Sequence, residues 1–126
     1  MLVNSKAYSG FAVDDLQNAR EFYGETLGLD VEIMDEEIGL VTLHLAGDRP
    51  TLIYVKPDLT PSNYAILYFP VDDIDEAVDA LAARGVRFER YEGFQQDEKG
   101  ISRGPGPLVA WFKDPAGNLL AVTQDS

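Results

Sequence analysis

One stretch of this chain occurs twice. FAVDDLQNA, from Phe11 to Ala19, returns as FPVDDIDEA, from Phe69 to Ala77, and the matched residues stay 58 positions apart throughout. A repeat of this kind means one supersecondary unit formed twice. With 126 residues available, it leaves room for two modules of similar size. The stretch KPDLTPSN reads as the connection between them, giving a first module over 1–58 and a second over 59–126. At this length the two together make a single domain, 1–126.

Both modules follow the same grammar. Ser9, Phe11 and Val13 alternate with Tyr8, Gly10 and Ala12, as in a short strand. Asp14 or Asp15 then caps a helix with apolar residues at Leu16, Ala19, Tyr23 and Leu27, and Gly28 ends it. In the second module Asp73, with Glu76 three residues on, opens a helix striped by Ile74, Ala77, Val78, Leu81 and Ala82, closed by Gly85. Three strand-like runs follow each helix: LDVEIM, LVTLHL and TLIYV in the first module, VRFERY, LVAWF and LLAVT in the second. Each module is therefore βαβββ, and the fold class is α+β. One helix covers one face of a four-stranded sheet and leaves the other face free. Two such modules predict a curved mixed sheet with helices on the outer face and a concave groove within.

Composition narrows the chemistry. The chain has no cysteine, which excludes disulfides, thiolate metal sites and a cysteine nucleophile. It has one histidine, His44. A formal charge of −12 repels phosphate backbones and anionic lipid, so nucleic acid and membrane partners are not expected. MLVNSKAYSGF lacks an apolar run of signal length, and no run is long enough to span a bilayer. A soluble, cytoplasmic protein is the expectation.

The pattern V-D-D-L, E-F-Y and L-G-L over Val13 to Leu29, with F-K-D-P-A-G-N at Phe112 to Asn118 before an apolar strand, resembles the vicinal oxygen chelate superfamily. This is the glyoxalase, bleomycin-resistance and extradiol-dioxygenase group. The resemblance implies paired βαβββ modules, a homodimer, and a divalent metal held by His, Glu or Gln at four sheet positions. Carried over from the family's motifs, those positions are Tyr8, Ile53, Ile66 and Ala121. None is a His, Glu or Gln, and Ser9, Leu67, Leu120 and Val122 beside them are no better. The expectation is thus no metal and no cofactor, which sets the chain nearer the bleomycin-resistance branch.

Strand alternation then sorts the side chains. If Tyr8 and Ile66 face the groove, Gly10, Ala12, Tyr68 and Pro70 do too, and Phe11, Val13, Phe69 and Val71 lie under the helices. Thr42, His44, Val109 and Trp111 fall on the groove side, His44 and Trp111 as near-symmetric partners, with Ile53, Val55, Ala121 and Thr123 from the last strands. The candidate ligand-binding set is Tyr8, Thr42, His44, Ile53, Ile66, Tyr68, Val109, Trp111 and Ala121. Tyr91 to Pro107 reads as a flexible, Gly- and Pro-rich rim, with a solvated Arg103.

The sequence thus predicts a protein that binds a small aromatic molecule in an apolar groove without altering it, with the negative charge favouring a cation. The alternative is an enzyme of the same superfamily, of lyase, isomerase or dioxygenase type, using a non-standard metal site or acid–base chemistry at His44.

Overall fold

The computed structural model describes residues 1–125, so Ser126, at the end of the second module, lies outside the described residues. The chain divides into two compact units, Met1–Leu59 and Thr60–Ser126.

The first unit runs β1 (Ser9–Val13), α1 (Leu16–Glu21), a π-helical turn (Phe22–Thr26), β2 (Asp30–Asp35), β3 (Leu40–Leu45) and β4 (Arg49–Val55). Its sheet has the order β1-β4-β3-β2, with β1 parallel to β4 and the other pairs antiparallel. Asp15 is the helix cap, accepting from Asn18 N at 2.9 Å. Residues opposite one another in a ladder share a face. One row therefore holds Phe11, Ile53 and Val41, and the next face holds Gly10, Leu52 and Thr42. The Phe11 face is the one under the helix, because Phe11 meets the fully buried Tyr23 ring at 5.6 Å. Val13, Val41, Leu43 and Ile53 are buried on it. Thr51 is buried there too, its hydroxyl paired with Ser9 Oγ at 3.1 Å.

The second unit runs β5 (Ala65–Pro70), α2 (Ile74–Ala83), β6 (Leu108–Lys113) and β7 (Leu119–Gln124), in a sheet of order β5-β7-β6. Asp73 caps α2 through Glu76 N. Ala110, Phe112, Leu120 and Val122 form the buried face, joined by Ile74 and Val78 of α2. The expected strand VRFERY is reduced to one bridge, Phe88 to Phe112. Beyond Glu89, whose N–H still reaches Trp111 O, the backbone bonds to the Gln96 side chain instead of to β6.

The two units keep the repeat but not its spacing. Gly10 and Tyr68, 58 apart, occupy matching ladder positions opposite Leu52 and Ala121. The glycines that end the helices, Gly28 (φ +72°) and Gly85 (φ +92°), are only 57 apart. The extra residue of the first unit falls in its π-helical turn, closed by Leu27 N to Phe22 O at 2.9 Å. An i→i+5 bond spans one residue more than the α-helical i→i+4 bond. Helix and turn together cover 16–26 in the first unit, against 74–83 for α2.

Candidate functional site

In the second unit three ladder partners, Trp111 on β6, Ala121 on β7 and Tyr68 on β5, form one row across the sheet. They lie on the face opposite α2. Val109 and Thr123 make the next pair on that face, with Pro70 beside Thr123. Strands are spaced by roughly 4.8 Å, so the two aromatic residues stand about 10 Å apart with only a methyl group between them. Tyr68 is 60% exposed, whereas Ala121 is fully buried.

Two further rings pack on Trp111. Tyr91 meets it edge-on at 5.6 Å and Phe94 at 5.0 Å. Both come from the connection read as a flexible rim, a lid or edge shaping the groove, and the base of that connection is held by hydrogen bonds. Gln96 Nε2 donates to Glu89 O (2.9 Å) and Gly100 O (2.7 Å), and its Oε1 accepts from Tyr91 N at 2.8 Å. Asp97 to Ile101 is a tight turn with Gly100 at φ +89°, and Ser102 bridges back to Val109. The Asp97 carboxylate accepts from Lys99 N, Ile101 N and Arg103 Nε, all within 3.0 Å. Burial acts to raise the Asp97 pKa, but these hydrogen bonds and the Arg103 charge outweigh it and hold the carboxyl below its ordinary range. Arg103 also pairs with Asp75 (2.7 Å) and Lys99 with Asp79 (3.0 Å), so the connection is fastened to α2. Arg103 is thus ion-paired, not simply solvated. Burial first, and then the Glu89 charge, raises the Tyr91 phenol above its usual value and keeps it neutral. The turn was legible in D-E-K-G, which has the same Asp-to-Gly spacing as D-P-A-G at Asp114 to Gly117. Both are closed by an N–H of the residue after Gly on the Asp carboxylate.

In the first unit the register moves one residue. Ile53 pairs with Phe11 and Val41 and is 1% exposed beneath the helix, so it does not share a face with Thr42 and His44. Val55, opposite Val13, shares that helix side. The residue opposite Gly10 and Thr42 is Leu52, the counterpart of Ala121. By the same ladder the counterpart of Trp111 is Thr42, not His44, which lies opposite Pro50. Tyr8 precedes β1 and is 65% exposed. Ile66 has no ladder partner, because the β5 register shifts between Ala65 and Leu67. His44 Nε2 lies 2.8 Å from Glu32 Oε1, an exposed pair that the sequence reading did not assign.

The four metal positions of the family thus become Tyr8, Leu52, Ile66 and Ala121. One phenol and three hydrocarbon side chains do not fit the oxygen and imidazole donor set a divalent ion takes. Among the described residues no group of three or more His, Asp or Glu is placed to hold a metal ion. No helix among them is long and apolar enough to cross a membrane.

The chain is similar to the uncharacterized protein YraH of Bacillus subtilis (strain 168), 28% identical over 123 residues that cover 87% of this chain and 90% of that one. Among solved structures it is similar to TnmS3, an antibiotic-binding protein from Streptomyces sp. CB03234. That match has 25% identity and a TM-score of 0.74 over 98% of this chain and 99% of the other. The fosfomycin resistance protein FosX of Listeria monocytogenes shares the fold at 16% identity, with a TM-score of 0.73 over 98% and 93% of the two chains. The model of the Glyoxalase/Bleomycin resistance protein/Dioxygenase superfamily matches residues 7–122, and the chain belongs to that superfamily.

Proposed function

We propose that the protein binds a small, flat aromatic molecule on the sheet face that carries Tyr68 and Trp111, and holds it without a metal or a chemical change. The observation that carries this reading is the row Trp111, Ala121, Tyr68, which sets two aromatic residues on one sheet face, Tyr68 largely exposed. Each ring contact contributes about 0.5–1.5 kcal/mol beyond area burial, enough for micromolar binding when combined with desolvation. The charge of −12 favours a cation over an anion. The likeness to an antibiotic-binding protein supports the same reading. The proposal includes a homodimer, and neither nucleic acid nor membrane as partner.

Trp111 is the single tryptophan, so its fluorescence reports this face alone. Titration with proflavine, a planar cation, is expected to quench it at micromolar concentrations. Trp111→Phe, followed by dye fluorescence, and Tyr68→Ala are expected to weaken binding by about fivefold or more. Absence of binding by proflavine and by a neutral planar dye of the same size would refute the reading. Elemental analysis of protein purified without chelator tests the metal-free part, and one divalent ion per chain would overturn it.

The second reading is an enzyme of the superfamily working through His44. It is favoured by the Glu32 carboxylate, which lies 2.8 Å from the imidazole and could orient it for proton transfer. Loss of a measured turnover in His44→Ala would select it.

A further inference from the structure

The connection that carries Tyr91 and Phe94 is not uniform. Its base is fixed: the Gln96 side chain ties the backbone at Glu89, Tyr91 and Gly100, and Lys99 and Arg103 fasten the turn to Asp79 and Asp75. Between these two anchored points, residues 92–95 form a short tip. Among the described residues the hydrogen bonding of this tip is one long contact, Phe94 N to Tyr91 O at 3.4 Å. Gly93 sits at φ +88° with no atom within 4 Å of where a Cβ would be. Phe94 is 54% exposed, and its ring lies against the indole of Trp111. An apolar ring on a loosely bonded tip, beside a glycine in open space, can rotate away while its base stays in place.

We propose that Phe94 is a gate on Trp111: in the free protein it holds a ring contact on the indole, and an entering aromatic ligand takes that contact over. This rests on the ligand reading above, because it regulates the same face. Phe94 then competes with the ligand and does not form part of its wall. A single aromatic contact corresponds to a factor of about two to ten in an equilibrium constant. The rigid base makes the competition local, so it does not require the turn or α2 to move.

The first test needs no ligand. Acrylamide quenching of Trp111 is expected to rise about twofold or more in Phe94→Ala, with Phe94→Leu intermediate and the far-ultraviolet circular dichroism of all three proteins alike. Unchanged quenching in Phe94→Ala would overturn the gate. The second test is proflavine binding by stopped flow. Phe94→Ala is expected to bind about two- to tenfold more tightly, mainly through faster association. Weaker binding would make Phe94 a wall and overturn the proposal. If proflavine fails to bind the wild type, the ligand reading falls, while the quenching result still decides whether Phe94 covers Trp111.

Discussion

Ile53 offers the sharpest test of the strand register. The family's motif counting sets it among site residues, whereas the ladder puts it beneath the helix at 1% exposure, between Phe11 and Val41. Ile53→Ala removes buried carbon atoms that β1 and β3 hold in place, so the space cannot collapse freely. The expected cost is about 2–5 kcal/mol, and Ile53→Val should cost about 0.5–1.5 kcal/mol. For a domain of this size each kcal/mol lowers the melting temperature by roughly 4 °C, so Ile53→Ala should melt about 8 °C or more below wild type. Leu52→Ala is the paired control. Leu52 is only half buried on the opposite face, and its truncation should cost under about 1.5 kcal/mol. Thermal and urea unfolding followed by circular dichroism give both numbers. A cost under about 1 kcal/mol for Ile53→Ala, with a larger one for Leu52→Ala, would refute the register argument.

Other consequences can be checked alongside. Gly39→Ala should cost about 1–3 kcal/mol in unfolding experiments, since φ is +72° and the new Cβ would lie 2.5 Å from Val55 Cγ2. The depressed Asp97 pKa gives stability that is present above its ordinary value of 3.8 and lost as pH falls through the lower folded value. The stability difference between wild type and Asp97→Asn should therefore be constant near neutral pH and shrink below about pH 4, read by urea titration across pH. Gln96→Ala frees three backbone groups and should speed hydrogen exchange at Tyr91 N–H, with Trp111 emission shifted, while α2 exchange is unchanged. His44→Ala should alter stability by less than about 0.5 kcal/mol, because its ion pair with Glu32 is exposed.

The repeat, the helix caps and the turn glycines were legible because each depends on neighbours in sequence. Asp73 and Gly85 announce the ends of α2 by chemistry that acts over one helical turn. The ladder position of β4 is not local. Ile53 and Leu52 are both apolar, so alternation alone could not tell which faces the helix, and one residue of slip exchanges the faces. The anchoring at the base of the rim was missed for a related reason. The rim's Gly and Pro content signals turns, but its order comes from Gln96 reaching backbone groups several residues away and from Lys99 and Arg103 reaching α2. Long-range side-chain hydrogen bonds leave no periodic trace in a sequence.

The unequal spacing of the two copies has a consequence for how such a protein changes over time. Leu52 and Ala121 are ladder counterparts 69 positions apart, against 57 at the glycines that end the helices, so the second copy is twelve residues longer after its helix. All of that extra length precedes β6 and follows Phe88, whose bridge to Phe112 matches Val31 opposite Leu43, so it falls in the connection that carries Phe94 and the Asp97–Ile101 turn. The two units share one frame and differ in the length of this one connection. The connection can therefore vary in length and sequence while the ladders on either side stay in register. Exchange of this one cassette between relatives would be the economical route to a new ligand preference.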